Sequence, residues 1–335
     1  MIKPFWRQSA PQPAQGVMPF DPWVALCAIA LVLIGFVMIS SASMDVAMEN
    51  NGTPYFYLLR QAVFVFLAVC GAVVAWKIPI GFWEKTGHWW MLGSFILLVA
   101  VLIPGVGREV NGSSRWIPLG PINLQASEIA KFCMVVYMAG YLVRRLDEVR
   151  TSWFGIAKPA VPLGIFVVLL YMEPDFGAAV VLMGTVMVMI FLGGMRFSQF
   201  LLIVSAALGL LVALIGAQSY RMERLQTYLN PWDDPYGAGY QLTQAQIAFG
   251  RGDWFGTGLG NSVQKLFYLP EAHTDFVFSV LAEELGFIGV AVLITLYIVL
   301  VSRLFLIGRR AEKLREFFMA YVTYGFATIF AGQAL

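Results

Sequence analysis

Phe176-Gly-Ala-Ala-Val-Val-Leu-Met-Gly-Thr-Val-Met-Val-Met-Ile-Phe-Leu-Gly-Gly-Met195 runs for 20 residues without a charged side chain. A helix of that length covers the roughly 30 Å of a bilayer's hydrocarbon core. Similar apolar blocks fall near 23–43, 57–76, 88–103, 128–143, 159–172, 198–217 and 275–301, and another begins near Phe317 and runs to the chain end. The pattern predicts an all-α polytopic membrane protein with about nine transmembrane helices. The block at 159–172 is short, and Lys158-Pro159 and Pro162 predict that it starts bent or at the interface.

Composition agrees. Of 335 residues, 59% are apolar, 15% aromatic and 13% charged, about half the charged share of a soluble protein, which excludes a disordered chain. A net charge of +2 without a long basic run gives no footprint for nucleic acid. Cys27, Cys70 and Cys133 each lie inside an apolar block, where a cysteine packs as a small buried residue rather than forming a disulfide or holding metal. Residues 1–20 are rich in Pro and Gln and carry Lys3 and Arg7, as expected of a cytoplasmic tail. The first apolar block is too long for a removable signal and lacks its cleavage site, so it is expected to remain as a span.

With the N-terminus inside, most of the 22 basic residues, including the Arg144-Arg145 and Arg309-Arg310 pairs, fall in inside segments, as the positive-inside rule requires. Acidic residues lean toward the outer side, and the chemistry is sought there. The longest connection, the 57 residues of 218–274, lies on that side and is too long and too aromatic for a solvated linker. Within it, Tyr240-Gln-Leu-Thr-Gln-Ala-Gln-Ile-Ala-Phe249 reads as a short helix, either lying in the membrane interface or packed as an outer lid.

Charges inside apolar spans are unfavourable and therefore informative. Glu128 and Lys131 open the fourth span with i,i+3 spacing, so they share a face and can pair. Glu173-Pro174-Asp175 is the whole link between the fifth and sixth spans, and Arg108, Arg115 and Trp116 stand in the preceding outer loop, placed to meet an anionic ligand. Asp275 follows the large loop at the start of the eighth span, two residues after His273. There it could be either a partly desolvated general base or a helix cap. Glu283 and Glu284 lie about two turns deeper with no basic partner on their own helix, so another element has to satisfy them.

These groups fall at the outer headgroup level, whereas a carrier of soluble substrates would gather them at the midplane. That depth suits a ligand with a lipid tail and a polar head. Gly256-Thr-Gly-Leu-Gly260 lacks the lysine and hydroxyl of a P-loop, His88 and His273 match no zinc pattern, and no Gly-x-Ser-x-Gly elbow is present.

The chain resembles the SEDS family (shape, elongation, division and sporulation). The resemblance rests on Asn111-Gly-Ser-Ser-Arg-Trp-Ile-Pro-Leu-Gly120 with Gln125-Ala-Ser-Glu-Ile-Ala-Lys131, on Glu173-Pro-Asp-Phe-Gly177 and Gly239-Tyr-Gln241, and on Tyr268-Leu-Pro-Glu-Ala-His-Thr-Asp-Phe-Val-Phe278 followed by Glu283-Glu-Leu-Gly286. These stretches span most of residues 23–335. It implies a transmembrane domain over 21–335 with its large periplasmic loop at 218–274. The implied activity is that of a peptidoglycan glycosyltransferase, polymerising lipid II at the outer face of the bacterial inner membrane during septal wall synthesis, beside a class B penicillin-binding protein. By that likeness Asp275 is the essential acid, and Glu128, Lys131 and Asp175 match positions associated with function. Arg108, Arg115, Trp116, Gln241 and His273 complete the expected substrate-binding set. A divalent cation, magnesium or manganese, is the only cofactor to be expected, with no organic cofactor. The family usually has about ten spans, so the C-terminal part of its domain is expected to be absent here. A lipid II flippase and a non-catalytic scaffold for the penicillin-binding protein remain the alternatives.

Overall fold

The structure is a computed structural model that describes residues 20–110, 113–120, 122–216 and 226–334. The tail before Phe20, Asn111-Gly112 of the outer loop and the first residues of the large loop, 218–225, lie outside the described residues. Helix α1 (Pro22–Asn51) starts where the Asp21 carboxylate accepts hydrogen bonds from the N–H groups of Trp23 and Val24, with Pro22 in the first turn. Both features favour a helix N-terminus. Helices α2 (Phe56–Lys77) and α3 (Ile80–Val101) come next, then strands β1 (Arg108–Val110), β2 (Ser113–Leu119) and β3 (Ile122–Gln125). After the strands come α4 (Ala126–Thr151), α5 (Trp153–Met172), α6 (Phe176–Leu192) and α7 (Phe197–Gly216). The large loop contains α8 (Tyr240–Gly252), and α9 (Val277–Lys313) and α10 (Phe317–Ala334) complete the described chain.

The protein is a mostly helical membrane protein. Helices α1, α2, α4, α5 and α9 are long and apolar enough to cross a bilayer, and α6 is a shorter apolar helix. Helix α4 is the centre of the bundle, packed against α3, α5, α6 and α10. Met134, Met138 and Leu142 on α4, Phe166 and Leu170 on α5, and Leu182 and Met189 on α6 are fully buried. Gly325 allows α10 to approach, because a Cβ there would sit 2.5 Å from the Val135 side chain. Such small residues set helix contacts in lipid, where packing rather than water exclusion holds helices together. Helix α2 has no buried residue, and its Leu59, Phe66 and Trp76 are exposed as lipid-facing side chains are.

Helix α5 begins at Trp153, ahead of the prolines that predict a bent start. Pro159 has no N–H for the carbonyl of Gly155, and the Tyr141 hydroxyl donates to that oxygen instead, at 2.8 Å. The neighbouring helix thus repairs the defect that hides the start of α5 in the sequence. The outer segment before α4, which reads as a loop in the sequence, is a three-stranded antiparallel sheet ordered β1-β2-β3.

Two ends of the bundle can be told apart. At the tail end, Arg303 of α9 pairs with Asp21 at 2.5 Å, and Arg145 and Lys158 both pair with Glu148. At the loop end lie the sheet, the α5–α6 turn and the large loop. Helix α9 is interrupted there at Gly286, whose φ of 65° and ψ of −167° break the helical ladder. The segment after α8 fills the break: the N–H groups of Thr257 and Gly258 donate to the carbonyls of Glu283 and Glu284, and those of Phe287 and Ile288 donate to Asp253 and Trp254. A Cβ on Gly286 would collide with the Gly256 nitrogen, so only glycine fits.

Candidate functional site

Three groups of polar side chains line the loop end. The first is built by β2 on the α5–α6 turn. Ser113 Oγ donates to the Glu173 carbonyl at 2.8 Å, and the Arg115 guanidinium donates to the carbonyls of Glu173 and Pro174. Arg115 is therefore engaged in holding the turn. Trp116 sits across the sheet from Arg108 on one side and Gln125 on the other. Asp175 is buried, caps α6 by accepting from the Ala178 N–H at 3.3 Å, and accepts from Gln125 Nε2 at 3.5 Å. Glu173 is fully buried, and neither of its carboxyl oxygens has a partner among the described residues. Burial first, and then the neighbouring Asp175, push its carboxyl up to about 8 against the pull of Arg115.

The second group opens α4. Lys131 Nζ donates to Glu128 Oε1 at 2.7 Å, the pairing the i,i+3 spacing predicts. Lys131 is buried while Glu128 is half exposed, and Gln333, near the end of α10, reaches the other Glu128 oxygen at 3.4 Å.

The third group belongs to the large loop. Helix α8 packs against α9, with Thr243, Ala245, Ala248 and Gly252 buried. Helix α8 is thus packed on the bundle. Gln241 is exposed at the start of α8. The two buried glutamates of α9 anchor the stretch of loop beyond α8. Glu283 accepts from Ser262 Oγ at 2.5 Å and from the N–H groups of Val263 and Gln264 at 3.1 and 3.2 Å, with Arg251 at 3.5 Å. Glu284 accepts from Lys265 Nζ and from Ser41 Oγ of α1, each at 2.7 Å. The partners that sequence reasoning leaves unassigned are thus Ser262, Arg251, Lys265 and Ser41. Ser41 lies 243 residues from Glu284 in the chain, beyond any local pattern.

Past these anchors the chain returns to the surface, where Asp275 is exposed and has no hydrogen bond or ion pair to a described residue. The N-cap of α9 is Phe276, with no side-chain cap, so the capping alternative for Asp275 has no support. The His273 ring lies tilted by 50° against that of Tyr57 in the first turn of α2, with ring centres 5.2 Å apart. No hydrogen bond or ion pair links the three groups among the described residues, although Gln125 and Glu128 place the first two side by side. Among the described residues no three His, Cys, Asp or Glu side chains converge to hold a metal. No residue set is therefore assigned to a divalent cation.

A bundle of apolar helices with buried carboxylates gathered at one end is a polytopic membrane protein with a polar, loop-bearing face. The chain belongs to the FTSW_RODA_SPOVE family of cell cycle proteins, whose model matches residues 22–335. It is 49% identical over 338 residues to a probable peptidoglycan glycosyltransferase FtsW of Pseudomonas fluorescens, covering 100% of this chain and 82% of that protein. To the protein of the same description from Hahella chejuensis it is 51% identical, over 92% of this chain and 78% of the relative. Among solved structures it is similar to a chain from work on the structural coordination of polymerization and crosslinking by a peptidoglycan synthase complex. That match has a TM-score of 0.74 and 29% identity, over 93% of this chain and 84% of that one. The rod shape determining protein RodA of Thermus thermophilus gives a TM-score of 0.66 at 26% identity, over 95% and 83% of the two chains.

Proposed function

We propose that the protein is a peptidoglycan glycosyltransferase of the bacterial inner membrane, polymerising lipid II with its loop end in the periplasm, at the division septum and beside a class B penicillin-binding protein. The observation that carries this reading is the state of Asp275. It is an exposed carboxylate without a partner among the described residues, on a segment fixed to the bundle by Glu283 and Glu284. Such a group is open to an incoming ligand.

In the reaction, the Asp275 carboxylate removes the proton from a sugar hydroxyl of the acceptor lipid II. The hydroxyl oxygen attacks the anomeric carbon of the lipid-linked donor, and the bond from that carbon to the pyrophosphate oxygen breaks. The new glycosidic bond forms with inversion, and undecaprenyl pyrophosphate leaves with its negative charge stabilised by cations at the loop end. The relatives named as glycosyltransferases and the likeness to a synthase complex support the reading. A flippase calls for charged groups free along a polar path, whereas Glu283 and Glu284 are both engaged by partners that fix the loop.

The test is a gel assay of glycan polymer from labelled lipid II, using purified full-length protein with its partner enzyme inactivated. Asp275→Asn and Asp275→Ala are expected to abolish polymer while the thermal unfolding midpoint stays at the wild-type value. Full polymer yield from Asp275→Ala would overturn the assignment.

A further inference from the structure

Helix α1 has 30 residues, about 45 Å at 1.5 Å a residue, and so outruns a hydrocarbon core of roughly 30 Å. Its last turns at the loop end carry Asp45 and Glu49, one turn apart, and no basic residue. Two carboxylates at i,i+4 repel each other, and both meet the negative end of the helix dipole. A cation from outside the chain would relieve both conflicts. Asp45 is half-buried and has no hydrogen bond or ion pair to a described residue.

Asp45 lines a cavity of about 790 Å³ between α1, the first turn of α2 and loop residues 259–266. The volume is that of a site for a single small ligand. Lys265 also lines it, but Glu284 holds that ammonium at 2.7 Å, so the unpaired charge of the lining is the Asp45 carboxylate. Ser40 and Asn261 add polar groups at the level of Asp45 and the loop. Below them the wall turns apolar: Val37 is about 12 Å deeper along α1 than Asp45, with Phe36 beside it and Leu58 facing them from α2. Val37, Met44, Leu259 and Leu266 are exposed at the margin of the cavity, which opens it sideways to lipid. Asp275 is not among the lining residues.

We infer that this cavity binds one phospholipid with a primary-ammonium headgroup, its ammonium on Asp45 and its first acyl carbons over Phe36, Val37 and Leu58. An ammonium donates charge-assisted hydrogen bonds to a carboxylate, and Ser40 and Asn261 can bond the phosphodiester beside it. An anionic headgroup would instead bring negative charge to Asp45 with no free cation in the lining to offset it. The lipid also touches loop residues 259–266, which Glu283 and Glu284 fix from the other side, so its binding steadies the large loop.

The experiment is native mass spectrometry of the full-length protein in detergent, titrated with dioleoyl phosphatidylethanolamine. One lipid is expected to be retained tightly. N-acetylated phosphatidylethanolamine, which has lost the ammonium, and dioleoyl phosphatidylglycerol are each expected to bind about tenfold more weakly or worse. Asp45→Asn is expected to weaken phosphatidylethanolamine binding to the same degree, and Asp45→Glu less because it keeps the charge. Phosphatidylethanolamine is expected to raise the unfolding midpoint of the wild type and not that of Asp45→Asn. Asp275→Asn is expected to bind the lipid like the wild type. Two outcomes would overturn the site: wild-type affinity in an Asp45→Asn variant whose lipid-free unfolding midpoint is unchanged, or equal binding of phosphatidylethanolamine and either comparison lipid by the wild type. The second comparison needs no variant and decides the matter should Asp45→Asn fail to fold.

Discussion

Glu173 occupies the short turn between α5 and α6, and its carboxyl is sealed beneath β2. The burial has a consequence for pH. An ordinary glutamate titrates near 4.5, whereas this one is pushed up to about 8 in the folded protein. Between those values the unfolded chain is ionised at this position and the folded one is not, so folding takes up a proton. The stability Glu173 contributes is fully present below about pH 4.5. It declines as pH rises and is lost by about pH 8, above which both states are ionised. Glu173→Gln keeps the shape and removes the titration. The variant is expected to show a flatter dependence of unfolding temperature on pH between 5 and 8 and to be more stable than the wild type at pH 8. A wild-type slope in the variant would mean the carboxyl is ionised in the folded state. At the same scale, the Glu128–Lys131 pair is legible because helical spacing alone brings the two side chains together. The depth of Glu173 is not, since the strand that covers it is about 60 residues away in the chain.

Among the elements, α5 and α9 show why boundaries and breaks escape a one-dimensional reading. Pro159 and Pro162 make the start of α5 look like an interfacial bend, but the helix runs from Trp153 because Tyr141 on α4 supplies the donor that Pro159 lacks. Tyr141→Phe leaves the Gly155 carbonyl unpaired in a buried place and is expected to cost about 1–3 kcal/mol. Reversible unfolding in mixed detergent would measure it, and a loss below about 0.5 kcal/mol would show that water or a backbone adjustment serves the carbonyl equally well. The break at Gly286 is likewise not legible locally, because a glycine inside a helical run shows no positive φ until its neighbours are placed. The break persists because loop residues 253–258 bond the freed backbone groups, as nonhelical backbone at membrane depth requires. Strands β1 to β3 escape the linear reading because three short strands with Gly and Pro between them look like a loop until they pair.

For the whole molecule, the decisive contact is the buried cluster of Lys265, Glu284 and Ser41, which ties the large loop to α1 and α9 together. Removing one partner leaves a buried charge uncompensated. Lys265→Met is expected to cost about 3–5 kcal/mol, and adding Glu284→Leu is expected to recover most of the loss. A double-mutant cycle on unfolding free energies checks this: additive losses would show the pair to be uncoupled. Because the loop carries Asp275, Lys265→Met alone is also expected to lower polymer yield in the gel assay, with partial recovery in the double variant.

The apolar blocks and their lengths determined by themselves that this chain lives in a membrane as a helical bundle, because hydrocarbon thickness sets a length that can be counted along the chain. The same solvent makes each charge in a span conspicuous, so Glu128, Lys131, Asp275, Glu283 and Glu284 stand out in the linear sequence. Spacing on one helix settles the Glu128–Lys131 pair, and only the tertiary structure decided what the three other carboxylates do. Whether a carboxylate is a free base, a helix cap or an anchor depends on which distant segment supplies a donor, and those donors lie tens to hundreds of residues away. Among the described residues, tertiary packing engaged Glu283, Glu284 and Arg115 with partners and left Asp275 and Arg108 without an ion pair.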